Sequence, residues 1–373
     1  MTTATLSKPR KARNGICLST SSLKAALAAV KAAVPTRSPK PVLLNVRIGN
    51  GFVTASDLEL QIACPIDYQG DPILLPYARL QAILNAASGD EVTIEQKGES
   101  CVVGIGNGSW TLPTEPAAEY PTWEPAGVKR VCTLPAEQFC RAVRSVVYAT
   151  DNQSSRFALG AVLIEVERSA GLVHFVGTDG RRLAEYQAGL SSNEDPDDST
   201  TLAPARAVLA MQFLASHSEG AVQIEATASE VVAVIDNAVV TARLVDGRFP
   251  RWRDVFPERD VKPSTVVPAD LLAATRQAAI VTSEQSKGVT YVFTADGIHL
   301  TAQSSEAGQS SVTCAVVEFG QPATVKLDPA FVVDLVRSVD PDESFTVEAV
   351  DAESAVTFRS GDCRAVIMPL AND

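Results

Sequence analysis

The sequence predicts an α+β protein assembled from three homologous domains. Three observations carry that prediction. A helix-then-strand pattern occurs three times at a domain-sized spacing, a second helix pattern precedes it each time, and the closing strings of the first two units match one another.

The first pattern is LPYARLQAILNAASGDEVTIE (75–95), LAPARAVLAMQFLASHSEGAVQIE (202–225) and LDPAFVVDLVRSVDPDESFTVE (327–348). Each copy begins with Leu beside a Pro and runs about three helical turns with apolar residues three to four apart. It then breaks at polar or Gly residues and enters an alternating strand that ends in Glu. The copies start at 75, 202 and 327, so they lie 127 and 125 residues apart.

In chain order, LSTSSLKAALAAVKAAV (18–34) opens the first unit as a helix, LPAEQFCRAVRSVVYAT (134–150) the second and VPADLLAATRQAAIVTS (267–283) the third. Ser19, Pro135 and Pro268 stand where a helix N-cap or first residue is expected. Strand patterns follow each helix: FVTASDLELQIACPI, LVHFVGTDGRRLAEYQ and IHLTAQSSEAGQSSVTC. YPTWEP (120–125) and FPRWRDVFP (249–257) close the first two units, with Trp123 and Trp252 in equivalent places. Pro and Gly beyond them mark linkers near 125–129 and 257–263. The expected division is a basic, disordered arm over 1–14 and domains over 15–127, 128–258 and 259–373.

Composition sets the class. A chain of 373 residues with 46% hydrophobic and 20% charged residues reads as globular, and it exceeds one ordinary core. No apolar run approaches the roughly 20 residues that span a bilayer, and MTTATLSKPRKARNG lacks a signal's apolar centre. No membrane partner and a cytoplasmic location are expected. The seven cysteines are scattered without a C-x-x-C pair, which predicts buried free thiols and neither disulfides nor a metal site.

A net charge of −12 argues against a surface coated with nucleic acid. The helical segments differ from the whole. Lys24, Lys31, Arg79, Arg141, Arg144, Arg206, Arg276 and Arg337 are eight cations against the four anions Glu137, Asp270, Asp328 and Asp334. Helices arranged inward around an axis would line a positive channel within a negative rim, suited to a polyanion held by its backbone. An ordinary solvated helix face is the other reading of the same residues.

A catalytic reading would pair Asp57 with Asp179 and add His174 as base. The repeat undermines it, because ASD and GTD occupy the same place in different domains. Only three histidines exist, and H-E-x-x-H, P-loop and G-x-S-x-G motifs are absent. His174 alternates with Val173 and Phe175 and is expected to face solvent.

The three repeats, RSPKPVLLNVRI with ASDLELQI, GTDGRRLA, FPRWRDVFP and the terminal AVIMPLAND together resemble the bacterial DNA polymerase III β subunit, the replication sliding clamp, over roughly residues 15–373. The resemblance implies three clamp domains per chain and a head-to-tail homodimer closed into a ring, with helices facing double-stranded DNA and sheets outside. It implies no chemistry and no cofactor. Partners would be the DNA polymerase III catalytic subunit, the clamp loader and other proteins carrying a short motif with Gln and Leu-Phe-type anchors.

Carried over by residue, the partner-peptide groove comprises Leu159, Thr178, Gly180, Arg181, Arg182, Leu183, Pro250, Asp254, Val255, Val366, Met368, Pro369 and Leu370. Asp254 stands where many members have a basic residue, and Arg181 where His is frequent. DNA contacts would come from Arg37, Gln153 and Phe157, with Lys24, Arg79, Arg141, Arg144 and Arg206 from the helices. The dimer contact matches Ile280 and Val281, whereas the opposing strand CVVGIGNGSWTLP aligns poorly. A clamp-like peptide-binding scaffold that does not encircle DNA is the alternative.

Overall fold

A computed structural model describes residues 15–121, 124–151, 158–190, 197–283 and 287–371. The basic arm, Trp123, Gln153 and Phe157 lie outside the described residues. The chain divides into two compact units: residues 1–126 with 234–242, and residues 127–233 with 243–373.

All six helical segments form helices: α1 (Thr20–Val30), α2 (Tyr77–Ala86), α3 (Ala136–Val146), α4 (Ala205–Ala215), α5 (Pro268–Ala278) and α6 (Pro329–Ser338). Local signals start them. The Ser19 hydroxyl accepts from the Ser22 amide in α1, proline occupies the first turn of α5 and α6, and Asp328 Oδ1 accepts from the Ala330 amide at 2.9 Å. Pro135 occupies the N-cap position of α3, one residue before its first turn. Apolar residues three to four apart turn one face of each helix inward, as Leu23, Ala26, Leu27 and Val30 do in α1. The helices pack as the pairs α1 with α2, α3 with α4 and α5 with α6.

In the first unit, an antiparallel sheet orders the strands Ile16–Ser19, Glu91–Lys97, Ser100–Ile105 and Gly108–Pro113. A second ladder orders Ile73–Pro76, Asn45–Gly49, Phe52–Ser56 and Leu60–Pro65, and a strand from far along the chain, Ala238–Arg243, pairs Val239 with Ala63. Tyr120, ahead of the undescribed Trp123, reaches back into this unit, where its hydroxyl accepts from the Ser56 amide at 2.8 Å.

The second unit holds an eight-stranded antiparallel sheet in the order Ser199–Pro204, Ala161–Glu167, Leu172–Thr178, Arg182–Gly189, Cys363–Ile367, Val356–Ser360, Phe345–Glu348 and Ser264–Val266. The second and third sequence repeats therefore share one sheet, joined where Arg182–Gly189 pairs with Cys363–Ile367. α3 covers one face, with Phe139 edge-on to Phe175 at 6.0 Å. On the other face Leu163, Val176, Leu183 and Trp252 form a buried cluster flanked by Leu202, Phe249 and Phe256. Each such side chain contributes roughly 1.5–3 kcal/mol by leaving water. A separate sheet orders Gly308–Cys314, Gly297–Ser304, Val289–Thr294 and Ala323–Leu327.

All seven cysteines are thiols outside any disulfide, but burial is not uniform: Cys17 is exposed, and Cys64 and Cys140 are half-buried, contrary to the expectation of buried thiols. Cys17 alternates outward on the edge strand Ile16–Ser19, where a small thiol costs little in water.

Candidate functional site

The turn between Leu172–Thr178 and Arg182–Gly189 is fixed by its own side chains. Asp179 Oδ1 accepts from the amides of Arg181 and Arg182 at 2.9 and 3.0 Å. The Thr178 hydroxyl donates to the Arg182 carbonyl at 2.7 Å and accepts from the Gly180 amide at 3.1 Å. Gly180 takes φ +87° with open space around it. The first repeat builds the same turn: Asp57 Oδ1 accepts from the amides of Glu59 and Leu60 at 3.0 and 2.8 Å, and Leu58 takes φ +79°. Asp57 and Asp179 are thus turn-forming residues, each with its Oδ1 occupied by two backbone amides.

From this turn the groove set assembles along the strand seam. Leu183 lies opposite Val366 and Arg182 opposite Ile367. The chain then leaves the sheet, with the Met368 amide donating to the Arg181 carbonyl and the Leu370 amide to the Lys326 carbonyl, both at 2.8 Å. Met368 is 43% exposed, while Pro369 and Leu370 are half-buried. Leu183 also touches the buried cluster that contains Trp252, which begins the short 3-10 helix Trp252–Val255. That helix presents Asp254 and Val255 to solvent after the half-buried Pro250.

Not every member of the set offers surface. Leu159, Thr178, Leu183 and Val366 are buried and act as foundation. Leu159 precedes the strand Ala161–Glu167, with its carbonyl accepting from the Asp151 amide. The exposed members are Met368, Val255, Asp254, Arg181 and Gly180.

Arg182, a member of the groove set, is engaged within the fold. Its guanidinium lies between Phe331 of α6 at 4.4 Å and Tyr148 at 5.3 Å. It also donates to Asp179 at 3.0 Å and to Asp334 of α6 at 2.9 Å. The bond to Asp179 holds the guanidinium within the turn, and the bond to Asp334 with the contact to Phe331 fastens the turn to α6.

His174 corrects the expectation of a solvent-facing residue. It is 3% exposed, with Nδ1 2.8 Å from Glu185 Oε1 and its ring 5.4 Å from Trp252. Strand alternation was right about the face but not about its cover, since segment 249–256 lies over it. The fully buried Glu185 also accepts from Arg364 and from Gln187. Burial disfavours its charge, but the hydrogen bonds from His174, Arg364 and Gln187 and the charge of Arg364 outweigh that and hold its carboxyl below the usual range. Arg364 stacks on Phe256 at 3.9 Å, and Trp252 Nε1 donates to Glu165 at 2.9 Å. Sequence reasoning missed Glu185 and Arg364. Their signal was a charge inside each of two largely apolar strand segments, AEYQA and CRAVI, which has to find a partner when buried.

Among the helix cations, Lys24 and Arg79 are exposed in the first unit, and Arg144 and Arg206 in the second. Arg37 is exposed in the Pro-rich loop after α1. Arg141 is half-buried and pairs with Glu343 at 3.3 Å and Glu137 at 3.6 Å, the loop after α6 placing an acid against α3. Ile280 is 77% exposed in the 3-10 turn that follows α5, and Val281 is half-buried. Among the described residues no His, Cys, Asp and Glu group has the make-up of a metal site, and no helix is long and apolar enough to cross a membrane.

Three paired helix layers on antiparallel sheets, with the C-terminal strand added beside the second repeat, define the DNA sliding-clamp fold. A solved Pseudomonas aeruginosa sliding clamp, in complex with griselimycin, superposes with a TM-score of 0.88 at 22% identity, covering 96% of this chain and 99% of that one. Residues 133–251 match the family model described as the central domain of the DNA polymerase III beta subunit. The beta sliding clamp of Vibrio cholerae is 26% identical over 330 residues, 84% of this chain and 89% of that protein. That of Salmonella typhimurium is 24% identical over 337 residues, 88% of this chain and 91% of that protein. Over most of its length the chain is therefore similar to the DNA polymerase III beta subunits, the beta sliding clamps.

Proposed function

We propose that the chain is a non-catalytic DNA sliding clamp that encircles duplex DNA and tethers the replicative polymerase through a peptide groove. The observation that supports this most is the continuity of the 178–183 turn, the Trp252–Val255 helix and Met368–Leu370 around one apolar foundation. Met368 and Val255 supply an adaptable apolar surface there, and Arg181 a charge at its edge.

In this reading three domains, 15–127, 128–258 and 259–373, form each half of a dimeric ring. Among the described residues the strands Gly108–Pro113 and Gly308–Cys314 each stand at the end of a sheet, which suits head-to-tail closure by strand addition, with Ile280 covered by the partner subunit. Lys24, Arg79, Arg144 and Arg206 would face DNA phosphates without reading sequence. A polyanion held by encirclement needs little direct affinity, so contact is salt-sensitive while residence on circular DNA is long. The clamp loader opens the ring, and the polymerase and other partners dock by a motif with Gln and Leu-Phe-type anchors.

The test is primer extension on long primed DNA with the cognate polymerase and loader. The chain is expected to lengthen products, and deletion of Met368–Asp373 to abolish both that gain and motif-peptide binding while the dimer persists. Undiminished peptide affinity after the deletion would refute the groove.

A further inference from the structure

A second cleft lies beside the proposed groove, on the sheet face opposite α3. The strand Ala161–Glu167 fixes that face: Ile164 pairs with Phe175, which meets Phe139 of α3, so Leu163 and Glu165 point the other way. Over them passes Gly247–Asp254, enclosing a cleft of about 570 Å³. Its floor and walls include Leu163, Leu202, Phe249 and Trp252. Three arginines border it. Arg253 is fully engaged, with Glu165 at 2.9 Å, Glu167 at 3.2 Å and the Trp252 ring at 4.2 Å. Arg248 and Arg251 are exposed, and among the described residues neither guanidinium has a hydrogen-bonding or ionic partner.

Two unpaired guanidiniums at an aromatic-walled cleft, on a chain of net charge −12, are complementary to a segment that combines carboxylates with an apolar side chain. Continuity says where such a segment comes from. Pro250 and Asp254 line this cleft and also belong to the groove set, and Trp252 lines the cleft while packing in one cluster with Leu183. We propose that the cleft at Arg248 and Arg251 is an accessory subsite for an acidic flank of the partner's clamp-binding segment, continuing a peptide already seated in the groove. The inference rests on the groove reading. Duplex DNA is the less favoured occupant, because Glu165 and Asp254 are part of the lining and the exposed helix cations lie on other elements.

The experiment measures binding of fluorescent peptides to the full chain. One carries the Gln and Leu-Phe-type motif alone, and two others add an acidic, Leu-containing tail before or after it. One extended peptide is expected to bind about three- to tenfold tighter than the motif alone at low salt, with the gain lost at high salt. In the double variant Arg248→Ser/Arg251→Ser the gain is expected to vanish while motif-only affinity stays at the wild-type value, which also reports an intact fold. No gain from either tail, or a gain that survives the double variant, overturns the subsite and leaves the groove standing. Displacement of the tail by short DNA from the wild type but not the variant assigns the cleft to nucleic acid and overturns it as well. Failure of all three peptides to bind refutes the groove reading and the subsite with it.

Discussion

Arg182 sits where two elements meet, and its four contacts decide how it acts. Two carboxylates and two rings enclose the guanidinium at 11% exposure, so removing it takes away Asp334's ion pair and the cation on the Phe331 ring. Arg182→Ala is expected to lower stability by roughly 2–3 kcal/mol in urea denaturation, by analogy with partly buried pairs broken on one side. Arg181→Ala, whose side chain is exposed, is expected to stay within about 0.5 kcal/mol. Glu185 gives a pH signature. Its folded carboxyl is held below its unfolded value, so its stabilisation is complete above the ordinary carboxylate value of about 4.3 and lost as pH falls through the lowered folded value. Glu185→Gln is expected to be less stable at pH 7 and to lose less stability than the wild type between pH 5 and 3, read from urea midpoints. At this scale the sequence was legible where a residue acts on its own backbone, as Asp179 does, and not where its partner is distant, as with Glu185 and Arg364.

The turn and its strands show what an element tolerates. Gly177 lies where a Cβ would collide with the Val146 carbonyl oxygen at the end of α3, whereas a Cβ on Gly180 would meet open space and only the strain of φ +87°. Gly177→Ala is therefore expected to cost more than about 2 kcal/mol, and Gly180→Ala about 1 kcal/mol, in the same denaturation series. The tolerance of Leu58 at φ +79° in the first-repeat turn marks that second cost as bearable. The six helices were legible because three-to-four spacing and proline or polar starts are local signals. Glycine in the strand around Gly177 gave no such signal, since what approaches it belongs to another element.

For the whole molecule, exposed apolar residues point to association. Ile280 and Val317 are the most exposed large hydrophobic residues among those described, at 77% and 68%. A solution mass of twice 39.4 kDa is expected by sedimentation at micromolar concentration, and Ile280→Asp is expected to shift it toward the single chain. A strict monomer in the wild type would rule out the ring. By itself, the sequence determined the threefold helix-and-strand repeat, the caps, the Asx turns at Asp57 and Asp179, and the family likeness, because each is written in spacing along the chain. Only the tertiary structure decided that Arg182 and Arg141 are fastened to acids, that His174 is covered by 249–256, and that Arg248 and Arg251 stand unpaired beside a cleft. A charge's role depends on which distant groups reach it, and chain spacing does not specify those distances.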